Sequence, residues 1–340
     1  MIGVGLIGAG RMGQVFAHHL AVGIPDARFV AIADTNPENL REVSARFGIA
    51  HTYNNSDELL ARDDVDAVLI VTPTNTHAAL VQDAARAGKH FFCEKPLALS
   101  LQECDAAIEA TERAGVTLQV GFMRHFDPAY VAAKEKIDAD MIGEPVMYKS
   151  IGRNPRRTSL EFAAREKSGG MIADMGIHDF DAARWLMRSE VTRVYSQGAC
   201  LVYPELREVN DIDNALVSLN FANGALGNVD LSRNAVYGYD IRAEVLGSRG
   251  SLRIGSLQHT PLLVLTTNGV THDTIPYFME RFGVAYAAEL RDFIACIFEQ
   301  RPPRVSGHDA RAATAIAIAA TRSFDEERVV ELSEIAELRE

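Results

Sequence analysis

The chain has 340 residues, of which 47% are hydrophobic and 24% charged, with a formal net charge of −12. That length exceeds what one hydrophobic core usually organises, so two domains are expected. The acidic balance speaks against nucleic acid, whose phosphates require a basic surface, and against an anionic membrane surface. No apolar run approaches the roughly 18 residues of a membrane helix. Met1 leads straight into a strand pattern with no basic n-region or cleavage site, so a cytoplasmic location is expected. Cys93, Cys104, Cys200 and Cys296 lack C-x-x-C spacing and read as reduced, buried thiols rather than as disulfides or a zinc site.

In chain order, an apolar run at 4–7 ends in Gly8-Ala-Gly10-Arg-Met-Gly13, a helical pattern follows, and a second apolar run ends on Asp34. A helix is expected over 37–47, another over 56–61 with Ser56 as its cap, and a buried strand over 67–71. Then come a helix over 77–87 stopped by Gly88, a strand over 90–93, a helix over 101–114 and a strand over 117–120. Strands alternating with helices predict a right-handed, mainly parallel sheet. From about Phe122 the texture changes to short Val-, Leu- and Ile-rich segments at 146–152, 191–202, 214–221, 226–232, 240–246, 251–254, 262–267 and 270–275. Turn signals such as Ala222-Asn-Gly224 and Asn268-Gly269 separate several of them, which predicts an antiparallel sheet. A helix over 170–187 lies between the first two segments, and helices over 284–300 and 308–324 finish the chain. The expected fold class is therefore α/β plus α+β: a Rossmann domain over 1–121, then a domain over 122–340 with a large, mainly antiparallel open sheet and flanking helices. The last helices have room to pack back on the first domain.

The first 34 residues have the order of a dinucleotide-binding βαβ unit, with an acidic residue about 20 residues beyond the glycines. Gly8 permits the tight turn, Gly10 lets backbone approach a pyrophosphate, and Gly13 lets the helix pack on the strand. The helix N-terminus presents N–H groups and the positive end of its dipole to phosphate. Arg11 and Met12 lie inside this loop and join the cofactor set. A ligand-free glycine turn would share the spacing but gives no reason for a carboxylate at the tip of the second strand. Asp34 can accept from both ribose hydroxyls and would repel a 2′-phosphate, and Thr35 and Asn36 bring no cation, so NAD is preferred over NADP.

Ligands on open α/β sheets lie beyond the carboxyl ends of the strands. Thr72, Asn75 and His77 follow one such end, and Glu94, Lys95 and Pro96 follow the next, so Thr72, Asn75, His77, Glu94 and Lys95 are expected on the cofactor side as cofactor contacts, with a cis bond before Pro96 one way of fixing the backbone there. A turn and helix cap explains the first group equally well, and a surface ion pair the second. In the second domain Asp174 and His178 are four apart on the expected helix and Asp181 three further, so they share a face. An imidazole with a carboxylate neighbour can take a hydroxyl proton as hydride leaves the carbon. The same pair is also a common structural hydrogen bond, and a metal reading lacks a second histidine at ligand spacing, so no metal is expected.

Together, Gly8-x-Gly10-x-x-Gly13, Thr72-Pro-x-x-x-His77, Glu94-Lys-Pro96 and Asp174-x-x-x-His178 resemble the Gfo/Idh/MocA family of NAD(P)-dependent sugar and polyol oxidoreductases, over essentially the whole chain. Gly121-Phe-Met-Arg124, Arg153-Asn-Pro155 and Tyr237-Gly-Tyr239 look most like the inositol 2-dehydrogenases of that family. The resemblance implies Lys95, Asp174 and His178 as the catalytic set, with His178 as acid/base and Lys95 assisting at the substrate oxygen. It implies Arg124, Asn154, Asp181, Tyr237, Tyr239 and Tyr286 as further substrate contacts, the cofactor NAD, a cyclic polyol such as myo-inositol as substrate, and a homo-oligomer, either dimer or tetramer. Two positions depart from the pattern: Asp179 stands where many relatives have Glu, and Gly152 where inositol enzymes often place His. Other readings are a dehydrogenase of scyllo-inositol, an aldose or a deoxy-sugar, and, in a different class, an NAD-binding sensor or repressor without turnover.

Overall fold

Continuous apolar runs form strands where both faces of a sheet are covered, and the first part of the chain does this repeatedly. The computed structural model describes residues 1–336. It begins with β1 (Ile2–Ile7), α1 (Arg11–Gly23), β2 (Ala27–Ala33), α2 (Pro37–Phe47), β3 (His51–Tyr53), α3 (Ser56–Leu60), β4 (Ala67–Ile70), α4 (His77–Arg86), β5 (His90–Cys93), α5 (Leu101–Ala114) and β6 (Leu118–Val120). The six strands form a parallel sheet in the order β3-β2-β1-β4-β5-β6. Every residue of β1 and β4 is buried. The strand order reverses between these two, which makes their carboxyl ends the topological switch point where such sheets take ligands.

One strand is additional to those expected, and one cap needs correction. The edge strand β3 has no apolar alternation to betray it and forms by pairing with β2. The cap of α3 is Asn55, not Ser56: the Asn55 side chain accepts the Glu58 N–H at 3.2 Å.

The remaining elements are α6 (Pro128–Asp138), β7 (Pro145–Arg153), α7 (Leu160–Ala163), α8 (Arg165–Ser168), α9 (Gly170–Met187), β8 (Val191–Ala199), β9 (Asn214–Phe221), β10 (Leu226–Ser232), β11 (Asp240–Gly247), β12 (Ser251–Ile254), β13 (Val264–Thr266), β14 (Gly269–Thr271), α10 (Phe278–Glu299), α11 (Gly307–Glu326), β15 (Val330–Glu331) and α12 (Leu332–Ala336). Seven strands make the second sheet, β12-β11-β7-β10-β9-β8-β15. All neighbours are antiparallel except β7 and β10, which run parallel. Helix α9 packs on that parallel pair. A Cβ at Gly176 would come within 3.1 Å of Leu231 on β10, so this glycine lets the helix lie close to the sheet.

Here too the sequence reading is revised. Helix α6 was not expected, although Asp127 caps it and Pro128 opens it. The strand anticipated over 191–202 stops at Ala199, because the N–H groups of Leu201, Val202 and Tyr203 turn onto the Asp213 carboxylate at 2.6–2.9 Å. The segments at 262–267 and 270–275 do not join the large sheet. They form a separate hairpin of β13 and β14 whose Val264, Leu265 and Val270 stay exposed, so β-propensity acted there without burial.

The chain divides into two compact units, Met1–Phe126 with Val284–Thr314, and Asp127–Gly283 with the chain from Ala315. The first unit thus runs five residues past the expected boundary and takes back most of α10. Within it, Tyr286 of α10 meets Phe16 of α1 edge-on at 6.0 Å, and Phe293 lies 6.2 Å from Phe92 of β5.

Candidate active site

In the first unit, β1 ends at Gly8, whose φ of +96° a side chain would strain. A Cβ there would lie 2.3 Å from the Val71 carbonyl oxygen, and one at Gly13 would lie 2.0 Å from that of Gly8. Protein packing therefore demands both glycines. Gly10 differs, since a Cβ there would meet nothing within 4 Å, and the space it leaves opens beside the first turn of α1, where no acidic side chain stands. A pyrophosphate fits such a place by charge and by room. Arg11 is exposed and Met12 half-buried in that same turn.

Asp34 does more than the sequence suggests. One carboxylate oxygen accepts the Ala9 N–H at 2.6 Å and the Asn39 amide at 3.3 Å, and the other accepts the Asn36 N–H at 2.7 Å. The carboxylate thereby ties the glycine loop to the end of β2. An ionised carboxylate has about four acceptor positions, so it retains capacity for a ribose hydroxyl.

At the ends of β4 and β5, the Thr72 and Thr76 hydroxyls share a 2.6 Å hydrogen bond, and Asn75 is exposed. Both ring nitrogens of buried His77 face carbonyl oxygens, Nδ1 that of Pro96 at 2.7 Å and Nε2 that of Thr72 at 2.8 Å. Burial pushes its pKa down against the pull of those carbonyls. The ring thereby ties the two strand-end turns together. Lys95 sits half-buried at the end of β5, before a cis bond to Pro96, and donates its backbone N–H to Glu94 Oε2 at 3.1 Å. All four cysteines are buried and free, and burial followed by the Glu94 charge pushes the Cys93 thiol well up, which makes it no nucleophile. Arg124 is buried on the short turn Met123–Phe126.

In the second unit, α9 carries Asp174 and His178 one turn apart, both half-buried, with Asp181 buried a turn further on. The start of this helix is fixed from outside: Gly169 and Gly170 take positive φ, and the Met171 N–H donates to Asp211 at 2.8 Å. Sequence reasoning missed the cation beneath it. Arg233, just past β10 and almost wholly buried, reaches Asp211 at 3.5 Å and Asp174 at 3.7 Å. Burial raises the Asp211 pKa more than Arg233 lowers it. An arginine in a mixed polar run reads as surface, and no local spacing gave it away.

The other proposed contacts in this unit spread along the sheet. The backbone of Asn154 bonds to that of Ser232 at 2.8 Å and Ala235 at 2.9 Å. The Tyr237 hydroxyl lies between Arg153 at 3.2 Å and Asp240 at 3.0 Å, in a network in which Arg153 also clamps Asp230. Tyr239 is buried edge-on to Tyr277 and Phe282. The two departures from the family pattern are neighbours, since a Cβ at Gly152 would lie 2.9 Å from Asp179 Oδ2.

Residues 2–122 match the oxidoreductase family's NAD-binding Rossmann fold, and residues 134–332 match the C-terminal alpha/beta domain of the same family. The chain belongs to the Gfo/Idh/MocA oxidoreductase family. Among Gfo/Idh/MocA relatives, the scyllo-inositol 2-dehydrogenase (NAD(+)) of Bacillus subtilis is 42% identical over 319 residues, 94% of this chain and 93% of that protein. The myo-inositol 2-dehydrogenase of Thermotoga maritima is 40% identical over 333 residues, 98% of this chain and 99% of that protein. The crystal structure of scyllo-inositol dehydrogenase from Lactobacillus casei with bound NAD(H) and scyllo-inositol has a TM-score of 0.94 at 28% identity, covering 98% of this chain and 99% of that one.

Proposed function

We propose that this Gfo/Idh/MocA protein oxidises one ring hydroxyl of an inositol, converting myo-inositol to 2-keto-myo-inositol with NAD as the hydride acceptor. The observation that carries this reading is the Asp174–His178 pair, one turn apart on a helix, in a chain at least 40% identical over almost its full length to named inositol 2-dehydrogenases. The loop from Gly8 to Gly13, Asp34 and Thr72 would hold NAD, with His77 bracing the turns. Bound NAD supplies carbon 4 of its nicotinamide as the hydride acceptor.

His178 takes the proton of the reacting hydroxyl and returns it in the reverse direction. Asp174 orients the imidazole and stabilises its charged form, and the Arg233 guanidinium lies 3.7 Å from the Asp174 carboxylate as its counter-charge. Lys95 stabilises the alkoxide charge that develops on the oxygen as the hydroxyl gives up its proton, a charge that the departure of hydride then converts into the carbonyl bond. Arg124, Asn154, Asp181, Tyr237, Tyr239 and Tyr286 supply the donors and acceptors that a polyol requires. Leaving one such buried group unpaired costs about 1–3 kcal/mol, which is what lets a site of this kind sort stereoisomers.

Oxidation of scyllo-inositol is the second reading, favoured by the 42% identity to the Bacillus subtilis enzyme. The protein acts in the cytoplasm as a dimer or tetramer in this proposal. Leu216, Leu226 and Leu246 stand exposed on the face of the seven-stranded sheet away from α9, where a second copy would bury them. NADH formation measured against a panel of inositols, aldoses and deoxy-sugars tests the reading. Turnover is expected to be greatest with myo-inositol; turnover confined to aldoses, or NAD binding with no turnover at all, refutes it.

A further inference from the structure

Within the first unit, three polar side chains are buried together behind the Lys95 turn. Glu94 directly follows β5, Gln119 lies on the adjacent strand β6, and Glu289 lies on α10; Gln119 and Glu289 are fully buried and Glu94 nearly so. The Gln119 amide donates to the Glu289 backbone carbonyl at 2.8 Å, and Glu94 Oε2 accepts the Lys95 N–H. Both Glu289 carboxyl oxygens, Glu94 Oε1 and Gln119 Oε1 meet no hydrogen-bond partner among the described residues. Every one of these atoms is an acceptor when the acids are ionised, so the cluster lacks a donor.

Two ionised carboxylates cannot remain buried side by side without a cation between them. A single proton removes the deficit, since a neutral carboxyl is itself a donor. We propose that Glu289 carries a proton that it shares with Glu94, so that the pair holds one negative charge, and that this makes Glu289 a positioning residue for the Lys95 ammonium. The titratable groups facing the pair agree with this. On the β5 turn, Lys95 favours the charged form of Glu94, and the Cys93 thiol is held neutral by burial. From β6 comes Gln119, which does not titrate. Burial nevertheless pushes Glu94 up to about 7, and burial with the charge of Glu94 pushes Glu289 well above the carboxylate range.

The consequence for Lys95 rests on the catalytic reading given above, whereas the shared proton does not. Glu289→Gln supplies an N–H donor of the same shape that cannot ionise. The native wild type keeps a proton that its unfolded chain releases above the ordinary glutamate pKa, so its stability falls as pH rises towards neutrality. In Glu289→Gln that slope is expected to flatten, the ratio of the two unfolding constants changing by up to tenfold per pH unit between about pH 5 and 7. The infrared difference spectrum of wild type against Glu289→Gln at neutral pH is expected to show a protonated-carboxyl C=O band. Glu289→Gln is expected to keep the wild-type pH profile of kcat/KM, while Glu289→Ala moves it. An unchanged stability slope together with no carboxyl band overturns the shared proton. Equal shifts of the pH profile in the Gln and Ala variants overturn the positioning role. Full turnover in Lys95→Ala would refute the catalytic reading instead, leaving the stability slope to decide the proton.

Discussion

Replacing Arg233 by Met removes the buried cation on which two carboxylates of the second unit depend. The guanidinium lies 3.5 Å from Asp211 and 3.7 Å from Asp174, and it is almost wholly buried, as is Asp211. Unit charges at such distances attract by about 4.5 kcal/mol per pair at an effective dielectric of ~20, before desolvation is subtracted. The desolvation of Arg233 offsets part of that, but its removal leaves Asp211 buried without a counter-charge. Removing one partner of a buried pair in this way costs about 3–5 kcal/mol. Arg233→Met is therefore expected to lose that much in urea unfolding. The sign of the pH dependence follows from Asp211, whose pKa is already raised in the folded protein by burial. A raised carboxyl contributes stability that is present at acid pH and lost as pH rises through its folded pKa. Without Arg233 this pKa rises further, so the variant should regain stability relative to wild type between neutral and acid pH. Asp174 loses its counter-charge as well, and turnover should fall at least tenfold, equivalent to ~1.4 kcal/mol of transition-state stabilisation. A variant within about 1 kcal/mol of wild type, with no gain on acidification, would refute this account of Arg233.

His178→Ala should lower kcat by roughly 10²–10⁴ while leaving NAD affinity near normal in fluorescence titration, and unchanged turnover would reject the general-base role. Asp34→Ala should relax the preference for NAD over NADP in the ratio of kcat/KM values. Because Asp34 also receives the Ala9 N–H, it should in addition lower thermal stability, whereas an alanine without either effect would remove Asp34 from the account. Gly13→Ala would press a Cβ to 2.0 Å from the Gly8 carbonyl and should weaken NAD binding by displacing the loop; unaltered affinity in the same titration would show that α1 tolerates the shift.

The parallel sheet was readable because its strands are buried on both faces and its turns carry glycine at fixed offsets. β1 and β4 are apolar throughout, and Gly8 and Gly13 are demanded by contacts that a sequence pattern encodes. Where a segment takes its structure from a distant partner, local pattern failed. β3 exists only through pairing with β2, and the 191–202 strand was cut short by Asp213, more than ten residues away. The hairpin of β13 and β14 had strand composition but no face to bury. Asp174 and His178 in the second unit, and Lys95 in the first, are candidates that residue type and spacing single out. Arg233, Asp211 and Glu289 are not, because a charged residue is read as exposed until the fold buries it. Spacing also could not say that both nitrogens of His77 face carbonyls.

The central claim is that hydride passes from a ring carbon of an inositol to NAD. Incubating the protein with NAD and myo-inositol deuterated at carbon 2, and examining the cofactor by mass spectrometry, tests that claim most directly. The account predicts one deuterium in the NADH formed and slower turnover than with the unlabelled polyol. Unlabelled NADH, or ketone formed with the deuterium lost to water, would contradict it.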